Sequence, residues 1–121
     1  SEDMTTMPVK VSAHDALERA GYKASDMEFA EFYDCYTILE AVCLEDAGFC
    51  PKGEIGNFFQ STDTTYKGTF PINTDGGQLS AGQLNPAGAS GSQNTVEGVR
   101  QLMGKAGERQ VKKNNLCMVN A

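Results

Sequence analysis

A long polar loop places the strongest constraint on what this chain can fold into. Residues 70–91 read FPINTDGGQLSAGQLNPAGASG and hold five of the thirteen glycines and two of the four prolines. Glycine adopts positive φ angles without strain, and Asn, Asp and Ser side chains bond back to their own main chain. Such a stretch forms neither a core strand nor a helix. A loop of this length in a compact domain is uncommon unless it is functional, so we predict a functional loop that leads into a helix after Gly91.

Composition narrows the class of protein. The 121 residues suffice for one domain, and a hydrophobic content of 40% is enough for a core. The net charge is −6 and the basic residues are scattered, so we expect no nucleic-acid partner. No stretch approaches the roughly 20 apolar residues of a membrane span, and no signal-peptide pattern opens the chain. We therefore expect a cytoplasmic protein without a membrane span.

Neither the cysteines nor the histidine predict a metal centre. The four cysteines form no C-x-x-C pair, and the single histidine, His14, lies far from them in sequence. We expect reduced, mostly buried thiols and no metal site. His14 falls on the solvent side of the first predicted helix. The cysteines are Cys35, Cys43, Cys50 and Cys117.

Hydrophobic spacing along the rest of the chain predicts layered α/β architecture. Residues 1–10 are expected to be a linker or an artificially chosen start. The next predicted element is a helix with Ser12 as its N-cap and Gly21 at its end. The remaining predicted elements, in chain order, are a strand over residues 27–36 that is covered on both faces, a helix over 37–47, a loop over 49–59, a solvated turn or short hairpin over 61–67, a helix capped by Ser92 or Asn94 that carries Val96, Val99, Met103 and Ala106, and a strand from Leu116.

The junction after the first predicted strand, EFYDCYT, is one candidate for chemistry. Ligands in open α/β sheets collect at the carboxyl ends of strands, where polar side chains can reach them. Tyr33 suits a general acid or an oxyanion donor there, and Cys35 suits a nucleophile if its thiolate is stabilised. Structural roles are the alternative, in which Tyr33 fills the core and Cys35 is an inert buried thiol.

The loop over residues 70–91 is the second candidate. Its side chains supply hydrogen-bond donors and acceptors but no strong base except Asp75, which we expect to bond the turn. Such a loop suits positioning and oxyanion stabilisation better than proton abstraction. A single histidine excludes a Ser/His/Asp triad, and no G-K-[ST] follows the glycines, so no P-loop is expected. The polar side chains are Asn73, Thr74, Asp75, Ser80, Gln83 and Asn85.

Four motifs occur in an order that resembles a known family. They are AEFYDCYT, LEDAGFC-x-KGE-x-G, PINTDGG-x-LS-x-G and VEGVRQL-x-G-x-AG-x-RQV. Together they resemble the C-terminal half of thiolase-superfamily proteins, in the acetyl-CoA-acetyltransferase-like branch of sterol-carrier and nonspecific lipid-transfer thiolases. The resemblance implies an α/β, thiolase-like half-domain over residues 1–121. Its layered mixed sheet and packed helices would be incomplete without an N-terminal half.

The resemblance also implies an activity and a set of site residues. Thiolase-like proteins make or break the carbon–carbon bond beside a CoA thioester, so acyl-CoA in lipid or sterol metabolism is the expected substrate, with no cofactor. Tyr33 stands where the family has an Asn or His, and Gln83, after Gly82, stands where it has the His of a G-H-P motif. These two are the implied catalytic residues. The implied substrate-binding residues are Asn73, Thr74, Gly76, Gly77 and Gly82.

Partners and alternatives follow from the same resemblance. The family's nucleophilic cysteine comes from the N-terminal half, and a second cysteine would follow Ala121, so the isolated chain is expected to be inactive. The family fold implies a homodimer. Because glutamine does not titrate, a tyrosine-dependent retro-aldolase paired with an OB-fold protein is one variant. A non-catalytic lipid-transfer or scaffold protein is the rival, and an anion-binding module at the helix start after Gly91 is a third hypothesis.

Overall fold

Helices and short strands make up the part of the chain that the computed structural model describes, which is residues 7–34, 36–77, 79 and 90–120. This combination agrees with the predicted α/β class. The elements are α1 (Val9–Ala20), β1 (Phe29–Glu31), α2 (Thr37–Asp46), α3 (Ile55–Ser61), α4 (Ser90–Leu102) and β2 (Cys117–Val119), with 3₁₀ turns at Ala24–Asp26 and Gly107–Arg109.

Strand β1 lies in the middle of a small parallel sheet. Strand β2 pairs with one edge of it, with Ala30 opposite Met118. On the other edge Ile72 forms a parallel bridge with Ala30. There the Ala30 N–H donates to the Pro71 carbonyl and the Asn73 N–H donates to the Ala30 carbonyl, both at 3.0 Å. The beginning of the predicted functional loop therefore runs alongside β1 and in the same direction.

Both faces of this sheet are covered, as the mixed hydrophobic pattern of residues 27–36 predicts. Ala30 and Met118 pack with α1 and α2 in a core that includes Phe32 and Leu44. Phe29 and Glu31 belong to the opposite face, because successive side chains of a strand alternate. Helix α4 lies on that face, where strands β1 and β2 both contact it.

Helix α4 packs on the sheet through its polar side, which corrects the predicted arrangement. Val96, Val99 and Met103 are 51%, 48% and 58% exposed. The buried side instead carries polar residues and Gly98, where an added Cβ would lie 2.9 Å from Val119 Cγ2. A side chain at Gly98 would therefore require Val119 or the helix to shift. The buried polar residues of α4 are Asn94, Glu97 and Gln101.

Two predicted helix starts are also wrong. Helix α1 begins at Val9, so residues 9 and 10 are helical, and Pro8 rather than Ser12 stands at the N-cap. Proline suits a helix start because it lacks the N–H that would otherwise go unpaired there. Helix α4 begins at Ser90, upstream of both proposed caps, Ser92 and Asn94.

Residues 49–59 are only partly the loop that their glycines and proline suggest, because α3 begins at Ile55. The Glu45 carboxylate, from α2, accepts hydrogen bonds from the Gly53 N–H at 2.7 Å and the Ile55 N–H at 3.2 Å. A side chain ten residues upstream thus satisfies the free donors at the start of this helix. No local capping signal in the sequence indicates it.

Other predicted elements are confirmed. The α1 helix ends at Gly21 with a left-handed φ of 77°, and α2 covers nearly all of residues 37–47. His14 is exposed and pairs with Glu18 at 3.5 Å. Among the described cysteines, Cys43 is buried and the thiols of Cys50 and Cys117 are half-buried, and none of the three is in a disulfide bond. Cys35 lies outside the described residues.

Candidate functional site

The two stretches singled out for chemistry meet at the carboxyl end of β1. The Asn73 side chain joins them, because its Oδ1 accepts from the Phe32 N–H at 2.7 Å and its Nδ2 donates to the Phe32 carbonyl at 3.0 Å. This side chain takes the place of a further strand residue. It explains why β1 stops at Glu31 instead of continuing to Tyr36. Tyr33 follows directly and is half-buried.

A tight turn over residues 73–77, here called the 73–77 segment, forms the other wall. The Gly76 N–H donates to the Asn73 carbonyl at 2.9 Å, and the Gly77 N–H donates to Asp75 Oδ1 at 2.9 Å. Asp75 therefore bonds the turn, as expected. Asn73, Gly76 and Gly77 have φ angles of 51°, 97° and 58°, which lie in the left-handed region that favours glycine.

Gly77 also allows a close approach between the two stretches. A Cβ added there would overlap the carboxylate of Asp34, a residue only 3% exposed. The segment and the junction after β1 are therefore in direct contact, with glycine required at the point of contact. The sequence predicts a glycine turn here but does not identify Asp34 as its neighbour.

Thr74 lies at the centre of a buried hydrogen-bond cluster beneath the segment. Its Oγ1 is 2.7 Å from Glu31 Oε1 and 2.7 Å from Glu97 Oε2. Gln101 Nε2 donates to the same oxygen at 3.0 Å. Glu31 and Gln101 are 0% exposed and Glu97 is 1% exposed. The cluster links β1, the segment and α4.

Glu97 is held in its charged form by an arginine. Arg109 Nε and Nη2 donate to the two carboxylate oxygens of Glu97, both at 2.8 Å. Such forked pairs are among the stronger hydrogen bonds in proteins. Burial opposes the charge of Glu97, but the hydrogen bonds from Arg109 and Thr74 outweigh it and hold its pKa below the ordinary value.

Glu31 is the opposite case. Burial raises its pKa from 4.5 to about 8, and the nearby charges of Glu97 and Asp75 act in the same direction, while the contact with Thr74 acts in the opposite direction. Its second oxygen, Oε2, is buried without a hydrogen-bond partner among the described residues. A carboxyl group in this setting favours its neutral form.

A second carboxyl group with a raised pKa borders the segment. Glu40 of α2 accepts a hydrogen bond from Asn73 Nδ2 at 3.2 Å. Burial, and then the charge of Asp34, raise its pKa from 4.5 to about 7. Perturbed carboxyl groups on both sides of one segment are a feature of functional sites, although structural networks also produce them.

Most of the predicted site residues that the structure describes come together here. The 73–77 segment contains four of the predicted site residues and lies against the junction that carries Tyr33. Gly82 and Gln83 lie outside the described residues, as do Ser80 and Asn85. No three His, Cys, Asp or Glu side chains within the described ranges are grouped to hold a metal ion. The residues brought together are Tyr33, Asn73, Thr74, Gly76 and Gly77.

Sequence reasoning missed the buried polar cluster. Its members are far apart along the chain, and hydrophobic spacing on α4 favours the wrong face. One signal was present, since Glu97 and Gln101 stand four residues apart and so share one side of a helix. A glutamate inside the short apolar run of β1 is a second signal. The missed residues are Glu31, Asp34, Glu40, Glu97, Gln101 and Arg109.

Comparison with known proteins assigns the chain to a family. A family model described as thiolase C-terminal domain-like matches residues 1–121, and the chain belongs to this family. It is 38% identical to sterol carrier protein 2 of Bos taurus over 102 residues, which are 84% of this chain and 18% of that protein. It is 37% identical to an acetyl-CoA acetyltransferase of Methanothermobacter thermautotrophicus over 110 residues, which are 90% of this chain and 28% of that protein.

A solved structure confirms the predicted fold class. A chain of the Ltp2-ChsH2(DUF35) aldolase matches with a TM-score of 0.78 and 29% identity, covering 88% of this chain and 27% of that one. The match therefore spans less than a third of each of these related chains. The predicted thiolase-like half-domain and the predicted family are both confirmed. Among the described helices, none combines the length and the hydrophobicity that a membrane crossing requires.

Proposed function

We propose that this chain is the C-terminal domain of a thiolase-like enzyme that makes or breaks the carbon–carbon bond beside a CoA thioester in lipid or sterol metabolism. One observation carries the proposal. The 73–77 segment and the junction after β1, which hold two of the family motifs, are locked together by the Asn73 side chain around Phe32. Tyr33 is thereby held at the carboxyl end of the sheet, where ligands of α/β proteins collect.

Chemistry beside a thioester needs a group that stabilises the enolate oxygen. A phenol hydroxyl suits this task because it donates a hydrogen bond without carrying a charge. Tyr33 is assigned this role, or that of a proton acceptor. Gln83 is assigned a hydrogen bond to a substrate oxygen, since it cannot act as a base. Asn73, Thr74, Gly76, Gly77 and Gly82 are assigned to the substrate-binding wall.

Two reactions fit these groups. In acyl transfer from a β-ketoacyl-CoA, a cysteine thiolate from an N-terminal half attacks the β carbonyl carbon, and the bond between the α and β carbons breaks. The α carbon leaves as the enolate of the shortened CoA thioester and is protonated, and the thiolate of free CoA then takes the acyl group from the cysteine. In retro-aldol cleavage, the bond between the α and β carbons of a β-hydroxyacyl thioester breaks. Tyr33, as the phenolate, accepts the hydroxyl proton, and the β carbon becomes a carbonyl as the bond between the α and β carbons breaks. The electron pair of that bond stays on the α carbon as an enolate, which then takes a proton from the Tyr33 phenol. Similarity to a solved aldolase supports the second reaction.

The test uses this chain alone and combined with the N-terminal half of a related thiolase. β-Ketoacyl-CoA with free CoA reports acyl transfer, and β-hydroxyacyl-CoA reports retro-aldol cleavage through the aldehyde or ketone released. We expect no turnover by the chain alone and turnover by the combination. Tyr33→Phe should lower kcat/KM about 100-fold or more, the usual effect of losing an acid or base.

Tyr22→Phe is the matched control, because Tyr22 is 46% exposed and follows α1, away from the junction. It should leave kcat/KM unchanged. Turnover by the chain alone that survives Tyr33→Phe would contradict both the assigned role and the need for an N-terminal half. A combination of the two halves that turns over neither substrate would count against the proposed enzymatic function.

The rival function is a non-catalytic lipid-transfer or scaffold protein. The residues at the two key family positions favour it, since neither Tyr33 nor Gln83 is the histidine or asparagine of the motifs. Similarity to sterol carrier protein 2 agrees with this alternative. Transfer of a fluorescent sterol between vesicles by the combined halves, without turnover of either CoA substrate, would favour the rival over the enzyme.

Assembly and location belong to the same proposal. The enzyme is expected to be a cytoplasmic homodimer that needs no cofactor beyond its CoA substrate. An OB-fold partner is expected if the reaction is retro-aldol cleavage. Light scattering of the combined halves tests the dimer. Dialysis against a chelator, with turnover unchanged, tests independence from a metal.

A further inference from the structure

We propose that Glu31 is a protonated acid in the folded chain, and that its proton positions the 73–77 segment through a hydrogen-bond chain from Glu31 through Thr74 to Glu97. The proposal does not depend on which reaction, if any, the protein catalyses. It concerns how the segment is held in place and assigns Glu31 as a positioning residue.

The hydrogen count at Thr74 requires a proton on one of its two carboxyl neighbours. A threonine hydroxyl has one proton to donate and two lone pairs that accept. Its Oγ1 is 2.7 Å from a carboxyl oxygen of Glu31 and 2.7 Å from one of Glu97, and Gln101 donates to it at 3.0 Å. With both carboxyl groups ionised, one of the two short contacts would join a lone pair to a lone pair. With one carboxyl group protonated, every contact has its hydrogen.

The proton belongs to Glu31 rather than to Glu97. Both oxygens of Glu97 already accept hydrogen bonds from Arg109, which protonation would weaken. Glu31 has no such cation, and its Oε2 is buried without a partner among the described residues. An unpaired carbonyl oxygen costs far less to bury than an unpaired carboxylate. Glu31 Oε1–H therefore donates to Thr74 Oγ1, which donates to Glu97 Oε2.

The other charged and titratable groups around Glu31 favour the same assignment. Glu97 from α4 and Asp75 from the segment both oppose a negative charge on Glu31. The Cys117 thiol on β2 is near enough that a charge on Glu31 would raise the pKa of the thiol. Two arginines lie at this cluster, and both pair with Glu97 rather than with Glu31, Arg109 at 2.8 Å and Arg100 at 3.5 Å. These surroundings agree with the pKa of about 8 for Glu31.

Loss of the proton would act on the segment at its second residue. Thr74 would then face two carboxylates with one hydrogen to share, and Asp75 would add its repulsion. Asn73 precedes Thr74 and fixes the end of β1, so movement of Thr74 would reach the junction that carries Tyr33. The segment should therefore be well ordered below pH 8 and looser above it.

The first experiment measures the protonation state of Glu31 directly. The side-chain carboxyl carbon of Glu31, assigned by through-bond NMR in the unmodified chain, is followed from pH 4 to pH 10. We expect the resonance of a neutral acid up to about pH 7 and a titration midpoint near pH 8. A midpoint below pH 6 would overturn the proposal.

The second experiment measures how firmly the 73–77 segment is held in place. Amide-exchange protection of Asn73, Gly76 and Gly77, corrected for intrinsic rates, is compared at pH 7 and pH 9. We expect about a tenfold loss of protection at pH 9 in the unmodified chain, because each pH unit below the midpoint of Glu31 favours opening about tenfold and the effect levels off above the midpoint. Glu31→Gln keeps a donor to Thr74 but cannot titrate, so it should show no such loss.

Glu108→Gln is the matched control, because Glu108 is exposed on the Gly107–Arg109 turn and loses the same charge. It should behave like the unmodified chain. Equal loss of protection in Glu31→Gln and the unmodified chain would overturn the positioning role, even if the NMR midpoint were near pH 8.

Discussion

Replacing Glu31 by glutamine should stabilise this protein at neutral pH, although the residue is wholly buried. The folded chain raises the pKa of Glu31 from 4.5 to about 8. Folding at pH 7 therefore takes up a proton that the unfolded chain has already released. Glutamine has nearly the same shape, keeps a donor for Thr74 and needs no proton.

The magnitude follows from the pKa difference. A group whose pKa is raised on folding stabilises fully below its unfolded pKa, and the contribution is lost as the pH rises through the folded pKa. Each pH unit between the unfolded and the folded pKa corresponds to about 1.4 kcal/mol of folding free energy. The cost of keeping Glu31 protonated is therefore near zero at pH 4 and about 3 kcal/mol at pH 7. Glu31→Gln should show nearly no gain at pH 4 and a gain approaching that value at pH 7.

Urea unfolding followed by circular dichroism, repeated from pH 4 to pH 10, measures the difference. The free-energy gap between Glu31→Gln and the unmodified chain should widen steadily up to about pH 8 and then level off. Glu108→Gln should show no widening gap. A Glu31→Gln variant that is less stable at pH 7, or a gap that is independent of pH, would refute the assignment of the buried proton.

Three further substitutions test other contacts. Gly77→Ala should cost about 2 kcal/mol more than Gly53→Ala, measured as urea midpoints, because both positions have positive φ but only Gly77 has a carboxylate where the Cβ would go. Arg109→Met should destabilise by about 2 kcal/mol at pH 7, because it removes the forked partner of the buried Glu97 carboxylate and leaves Arg100, at 3.5 Å, as its cation. That loss should shrink at pH 4, where Glu97 without Arg109 is protonated; an equal loss at both values would contradict the pairing. Leu44→Ala should cost roughly 3 kcal/mol as a core truncation, and a thermal midpoint within a degree of the unmodified chain would contradict the burial of Leu44.

Local signals predicted those parts of the fold that depend on neighbours in sequence. Glycine after α1, apolar spacing in α2 and the apolar run of β2 each specify a backbone conformation within a few residues. The turn at residues 73–77 is equally local, because Asp75 and the two glycines close it among themselves. The two motifs flanking the candidate site were therefore recognised, and the family resemblance implied that both contribute to one site.

Non-local contacts explain the failures. Helix α3 begins where Glu45 caps it, and β1 ends where the Asn73 side chain replaces a strand neighbour. Neither Glu45 nor Asn73 is close in sequence to the helix start or strand end that it fixes. Hydrophobic spacing on α4 assigned the apolar side to the core, but the sheet beneath carries Glu31, so the polar side of the helix is the one that packs.

The amino-acid order alone decided the family, the α/β class, the glycine turn and the presence of Tyr33 and Gln83 at the two key motif positions. These are properties of short stretches and of residue identity. Tertiary structure decided which groups share a proton. Glu31, Thr74 and Glu97 stand 23 residues or more apart along the chain, and the buried acid arises only when folding brings them within 2.7 Å and excludes water. Burial sets a pKa, and burial is a property of the folded chain.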